Sequence, residues 1–427
     1  MTGSAPAAAH AVRAPVSPQT GGEFAFRCLM FFTFVLLVTP QAIVPQLGEL
    51  RLAWVSGALA IVSYRGNRGP RQPITIVTPE IRLVLWLVAL AVLSVPLSTW
   101  PGGSLAHVLD KYSKSVIIFL LLANTLTTPS RLGRILRLMI GCSVVISITG
   151  IYAFLSGQFL EGTTRIVGYT SGLTMNPNDF ALTLNLLLPL ALGLFLWSRS
   201  VVARIVLLPT MLLMLFGIMV SFSRAGFLDL AAMALVATAR LVKRAGVGAM
   251  FAVAAVAGVV FAIAPAGYAS RIYAIFDASA DLSGSSTARW EGMQNAFLLM
   301  FQHPLLGVGV GMNEVALAEG GFGWSPVHDM YLQVGSELGV AGFVVFVLLC
   351  WKVVTGLRRA LRELAGIPEA RALVGLGLGI ELSLYGFLVG GIFAPVAYNF
   401  YLYYVAGFAV AFQRIARRVV AATAASV

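Results

Sequence analysis

Charge is what this sequence has least of. Only 11% of its 427 residues are Asp, Glu, Lys or Arg, where a water-soluble domain carries about a quarter. That shortage excludes a soluble enzyme wrapped in a polar surface. Cysteine is scarce too. Cys28, Cys142 and Cys350 are the three, each within or beside an apolar run, so no disulfide framework is implied. The segments expected to face outward hold no HExxH, no cysteine cluster, no GxSxG and no Asp-x-Asp. The motif-borne zinc and serine-hydrolase chemistries are therefore unsupported. "DASAD" at 277–281 is a weak metal candidate, and no metal and no cofactor are expected. Four histidines occur in all, which makes the place of each informative.

Apolar residues are what is there. They make up 59% of the chain, and the mean hydropathy is +0.88. Apolar runs of roughly 18 residues or more recur along the whole length, the mark of an all-α polytopic membrane protein rather than a β-barrel. About twelve transmembrane helices of roughly 17–25 residues are predicted. They lie near 26–40, 43–63, 80–98, 107–127, 135–156, 178–197, 202–220, 224–241, 247–265, 329–352, 372–393 and 397–413. The net charge of +12 resides in short clusters between these runs, among them Arg131, Arg134 and Arg137, and Arg358, Arg359 and Arg362. Such clusters mark cytoplasmic loops. They place both termini in the cytoplasm and leave no basic stripe for nucleic acid. The expected organisation is a flexible cytoplasmic tail over 1–25 without signal-peptide pattern, transmembrane helices 1–9 over 26–265, a large periplasmic loop over 266–328 containing helices, transmembrane helices 10–12 over 329–413, and a basic cytoplasmic tail over 414–427.

Within the long loop, "TARWEGMQNAFLLMFQ" at 287–302 carries Trp290, Met293, Phe297 and Phe301 at helical spacing. A helix is predicted there, capped by Ser285, Ser286 or Thr287, ended by Pro304, and lying on the membrane surface or over the bundle. "GVGVGMN" at 307–313 resembles a nucleotide loop only superficially. No strand precedes it, and its glycines fit a tight bend against the membrane helices.

Three outward helix starts share a design. Ser221 and Ser223 precede Arg224 in "SFSRAGF", serines and a threonine precede Arg289 in "SGSSTARW", and Asn176 and Asn178 cap a span in "TMNPNDF". A cation in a first helical turn is misplaced against the positive end of the dipole unless an anion sits there. Backbone N–H groups plus a guanidinium then make a phosphate site. The plainer alternative is that each arginine anchors at the interface or pairs with Asp229, Asp277 or Asp281. His328, in "SPVHDMYLQVGSELG", follows a capping Ser325 and Pro326 and is expected in a first turn, kept neutral by the dipole and able to act as a general base, with Asp329 pushing the other way. The plainer alternative is a histidine bonding loop carbonyls. Arg165, Lys111 and Lys114 are further candidates for lipid phosphates, the lysines equally readable as snorkelling anchors. Glu337, Glu381 and Asp229 fall inside spans and keep open a proton-coupled transporter or flippase.

In combination, "SFSRAG", "SSTARWEGMQNAF", "HPLLGVGVGMN" and "HDMYLQVGSELGVAG", over roughly 165–350, resemble the O-antigen ligase / O-antigen polymerase superfamily of bacterial envelope glycosyltransferases. The resemblance implies a multi-pass protein of the Gram-negative inner membrane with its site facing the periplasm. It implies transfer of O-antigen from undecaprenyl pyrophosphate to a sugar hydroxyl of lipid A–core, inverting and metal-independent. A polymerase, or a protein O-oligosaccharyltransferase using the same donor, is the nearest alternative. The family's outward arginine matches Arg224, its loop arginine Arg289 and its loop histidine His328. Asp329 stands where many relatives have Asn, which puts its role in question. Implied partners are the lipid-linked donor, the lipid A–core acceptor and membrane lipids.

Overall fold

A computed structural model describes residues 22–67, 75–160, 165–166, 176–262, 264–273, 285–322, 324 and 326–425. Helix dominates these residues, and the only extended pairing among them is an isolated bridge between Phe159 and Ile166. The α-helices are α1 (Glu23–Val38), α2 (Pro40–Ile43), α3 (Leu52–Gly66), α4 (Pro79–Ser94), α5 (Pro101–His107), α6 (Ser113–Thr125), α7 (Pro129–Leu155), α8 (Pro177–Trp197), α9 (Val201–Val220), α10 (Arg224–Ala245), α11 (Gly248–Ala262), α12 (Tyr268–Tyr273), α13 (Ser285–Gln302), α14 (Asn313–Glu319), α15 (Met330–Ala365), α16 (Arg371–Gly390) and α17 (Phe400–Ala424).

Local chemistry sets many of the starts. Proline occupies the first turn of α2, α4, α5, α7 and α8, where its missing N–H is not needed. Side chains of Thr78, Thr128, Asn176, Ser200 and Ser223 accept a backbone N–H at the starts of α4, α7, α8, α9 and α10.

Among the described residues six helical stretches are long and apolar enough to cross a membrane: Pro79–Leu97, Pro129–Leu155, Pro177–Trp197, Val201–Val220, Met330–Ala365 and Pro368–Phe393. The other segments expected to span are also helical, but shorter, interrupted or more charged. The 107–127 segment is built from α5 and α6 joined by a π turn, Val108–Tyr112. Helices α10, α15 and α17 run past the expected ends at 241, 352 and 413 into their basic clusters. Arg, Lys, Leu, Ala and Glu are strong helix formers, so leaving the apolar stretch does not end the helix.

Helix α16 packs along α8 at the centre of the bundle. Their backbones nearly touch. A Cβ on Gly193 would lie 3.0 Å from the Gly379 Cα, the small-residue approach that membrane helices use in place of a hydrophobic drive.

Helix α15 breaks its own pattern. Gly339 has φ 71°, ψ −172°, so the helix is kinked three residues after Ser336. The segment between α13 and α14 is threaded through that kink. Val308 N–H donates to the Ser336 carbonyl at 2.9 Å, Gly309 N–H to the Glu337 carbonyl at 3.1 Å, and Val340 N–H to the Pro304 carbonyl at 2.9 Å. These bonds satisfy backbone groups that the kink strands inside the bundle. On its other side the loop is stitched to the α4–α5 corner, by Thr99 N–H on the Val308 carbonyl at 3.0 Å and by the Ser104 hydroxyl on the Val310 carbonyl at 3.0 Å. The glycines fit the bend expected of them. Gly307 and Gly309 have φ of +64° and +101°, and a Cβ on either would lie 2.2 Å from Glu337 backbone or the Ser98 side chain.

Candidate active site

His328 lies at the mouth of α15. The helix begins four residues later than the Ser325 cap and Pro326 start predict, at Met330. Asp329 is its N-cap, with its Oδ1 accepting N–H groups from Tyr331 and Leu332 at 2.8 Å each. His328 is thus not in the first turn, and the helix dipole is not what keeps its ring neutral. Ser325, the cap expected from sequence, lies outside the described residues. Burial does most to lower the His328 pKa from its ordinary 6.5, and the Arg289 guanidinium lowers it further; the Pro326 carbonyl and Glu314 oppose them. Asp329 does not push the ring toward the charged form, because its carboxylate is turned onto the helix backbone. Burial raises the Asp329 pKa, against the two amide bonds that lower it.

The ring is oriented as well as neutral. His328 Nδ1 is 2.7 Å from the Pro326 carbonyl oxygen. A carbonyl only accepts, so Nδ1 carries the proton, and in the neutral ring Nε2 keeps its lone pair. The loop-carbonyl bond therefore takes one nitrogen of the ring and leaves the other with a lone pair able to accept a proton.

Arg289 is in the second turn of α13, one turn deeper than expected, and half-buried. Its guanidinium is near enough to His328 to act on the charge of the ring. Helix α13 packs on α15, while Trp290, Phe297 and Phe301 remain exposed, as an interfacial helix would leave them.

A second group forms where α8 and α10 begin. Asn176 caps α8 by accepting the Asn178 N–H at 2.8 Å. Asn178 Oδ1 accepts from the Arg165 guanidinium at 2.6 Å and from the Ser223 hydroxyl at 2.9 Å. Ser223 caps α10 by accepting the Gly226 N–H at 3.1 Å, which makes Arg224 the first helical residue. One amide oxygen thus gathers the two helix starts and Arg165.

The two groups flank one turn. Asp229, in the second turn of α10, lies against Gly390, and Met330, the first residue of α15, lies against Gly391. The starts of α10 and α15 therefore sit at the same end of the bundle, on either side of the end of α16. Lys114 belongs elsewhere. It pairs with Asp110 at 3.6 Å and lies 4.5 Å over the Trp54 ring. That is the anchor arrangement, not a place among the arginines. Lys111 sits in the adjoining π turn.

Among the described residues no three His, Cys, Asp or Glu side chains gather as metal ligands would. The cysteines are free and buried. Sequence reasoning missed Glu314 and Asn313. Glu314 neighbours His328 only through tertiary packing. Asn313 was visible as the end of "GVGVGMN", but its partners are 14 and 24 residues away.

Residues 209–347 match the family model described as O-antigen ligase. The matched stretch contains Arg224, Arg289 and His328. The match supports the O-antigen ligase / polymerase superfamily and, with it, a membrane-embedded enzyme of glycosyl transfer. No curated protein matches the chain.

Proposed function

We propose that the protein transfers O-antigen from undecaprenyl pyrophosphate to a sugar hydroxyl of lipid A–core at the periplasmic face of the inner membrane. In this reading all twelve apolar segments cross the membrane, both termini are cytoplasmic, and the starts of α8, α10 and α15 open outward. Arg224 and Arg289 bind the donor pyrophosphate, and Arg165, Asn176 and Asn178 hold the starts of α8 and α10 around it. His328 Nε2 takes the acceptor proton as the acceptor oxygen attacks the anomeric carbon. The bond from that carbon to pyrophosphate breaks, its electron pair passes to the phosphate oxygen, and the configuration inverts. Guanidinium groups aimed at the leaving pyrophosphate stabilise the charge that grows there. A pyrophosphate leaves without a separate acid.

The observation that carries this is the His328 ring, fixed by its Nδ1–H on the Pro326 carbonyl beside the Arg289 charge. The test is purified protein in detergent with lipid-linked glycan and rough lipopolysaccharide. A ladder on lipid A–core supports the ligase, longer lipid-linked glycan the polymerase. A His328→Ala variant retaining full transfer would remove the base assignment.

A further inference from the structure

We infer that the Glu337 carboxyl and the Asn313 amide form a positioning pair that sets the backbone beside His328 from inside the bundle. This rests on His328 acting as the base. Asn313 opens α14, and its side chain is committed at both ends. Its Nδ2 donates to Glu337 Oε1, and its Oδ1 accepts the Val327 N–H at 3.1 Å. Val327 is the residue immediately before His328. Glu337, Asn313 and Val327 are all buried, at 0%, 4% and 0% exposure. An amide so placed cannot turn without stranding a buried donor or acceptor.

Glu337 holds the loop twice. Its carbonyl accepts the Gly309 N–H, and its side chain takes Asn313. It lies two residues before the Gly339 kink in α15. The amides of Gly311 and Asn313 and the Tyr398 hydroxyl lie near the same carboxyl, but its Oε2 has no hydrogen-bond partner among the described residues, so the Asn313 bond to Oε1 is its firm tie. The stub that carries His328 is thereby tied at three points: Val327 to Asn313, His328 Nδ1 to Pro326, and Asp329 to the first turn of α15. The Val327 side chain adds a plug, packed with Ala296 of α13 and Leu317 of α14. A carboxyl needed only to close the core could be replaced by an apolar group at little cost. This one is bonded to the residue that holds the Val327 N–H, next to His328.

Three variants test the pair: Asn313→Asp, Glu337→Gln and the two combined. Asn313→Asp keeps an acceptor for Val327 but opposes two carboxyls. The combination restores the bond with donor and acceptor exchanged. Two readouts are taken in detergent: transfer kinetics, and the pH dependence of His328 modification by diethyl pyrocarbonate, resolved by peptide mass spectrometry. Asn313→Asp should lower kcat on the order of 100-fold, the scale of a small misplacement of a reacting group, with KM nearly unchanged. His328 should be modified faster, with its midpoint moved toward the ordinary imidazole value as burial beside Arg289 and Glu314 is lost. The double variant should recover most of both. Should Asn313→Asp not fold, Asn313→Ser, too short to span both partners, carries the same expectations. Glu337→Gln keeps an oxygen that accepts from Asn313 and should leave both readouts near native. Unchanged kcat and unchanged His328 modification in Asn313→Asp would overturn the pairing, as would a double variant no better than Asn313→Asp. His328→Ala separates the two readings. If it abolishes transfer while the Asn313 variants change nothing, only the positioning role falls. If it transfers fully, the base assignment falls and takes the positioning role with it.

Discussion

Replacing Asp329 tests how the mouth of α15 is built. In the structure its role is capping: one buried oxygen accepts two N–H groups at 2.8 Å. Asp329→Ala leaves both amides without that acceptor. Loss of a cap costs about 0.5–2 kcal/mol, and hydrogen bonds to a charged acceptor are worth roughly 1.5–3 kcal/mol. Burial, which raises the Asp329 pKa, offsets part of this. A local cost of about 2 kcal/mol follows, equivalent to roughly 30-fold in an opening equilibrium. Hydrogen exchange of the Tyr331 and Leu332 amides in detergent should accelerate by about that factor. Transfer should fall on the order of tenfold, because His328 adjoins the frayed turn. Asp329→Asn keeps the accepting oxygen, and Asn caps about as well as Asp. It should retain near-native exchange and activity. Native exchange in Asp329→Ala would refute the capping argument. Asp329→Asn as damaging as Asp329→Ala would show that the charge matters, not the cap.

The acid limb of the kcat/KM profile should fall below the ordinary imidazole value of 6.5, since burial and Arg289 both lower the His328 pKa. Removing the opposing acid in Glu314→Gln should move that limb further down, and a limb moved upward would contradict the assignment. The same shift gives His328 a share in stability that is complete above about pH 6.5 and is lost as pH falls through the lowered folded value. Arg289→Lys should lose most transfer while keeping its charge, because an ammonium cannot match bidentate phosphate geometry; native rates would argue for a diffuse electrostatic role. Gly307→Ala and Gly157→Ala separate backbone strain from packing, as their φ angles are +64° and +67° but only Gly307 is crowded, its Cβ falling 2.2 Å from the Glu337 carbonyl carbon. The Gly157 change should cost roughly 1–2 kcal/mol and the Gly307 change more than about 3 kcal/mol, compared by melting in detergent; equal losses would count against the threaded loop.

Periodicity and composition made the helices legible. Among the described residues the apolar segments are mostly helical, because burial in lipid and backbone hydrogen bonding act on contiguous residues. Ser223 and Asn176 were legible as caps for the same reason: a cap bonds within three residues of itself. The start of α15 is not legible locally, because Ser325–Pro326 imitates a helix entry while Asp329, four residues after Ser325, takes the amides. The kink at Gly339 was hidden inside "SELGVAG", where the apolar pattern continues unbroken. What makes it tolerable is a loop some thirty residues upstream, and no local pattern announces pairing at that separation. The gathering of Arg165, Asn178 and Ser223 is likewise tertiary. Sequence supplied the chemistry of those side chains and could not supply their meeting.

The buried acids bear on the choice between a transferase and a proton-coupled carrier. Glu381 is held by Arg240 and Arg358 and by the Tyr385 hydroxyl at 3.1 Å, so it ties α16 to α10 and α15. Asp229 bonds to Asn185 of α8 at 3.4 Å, and Glu337 to Asn313 of the loop. The three acids thus serve three different seams of the bundle. Broken helices in carriers serve a different end, because their unwound carbonyls coordinate the transported ion. Here the carbonyls around the Gly339 break, those of Ser336 and Glu337, are already taken by the amides of Val308 and Gly309. Freeing them would mean withdrawing a loop whose glycines are pressed against Ser98 and the α15 backbone. A kink closed in this way gives rigidity to the residues just outside it. Rigidity beside His328 is what proton abstraction by a fixed imidazole requires, and it is the opposite of what alternating access requires of a broken helix.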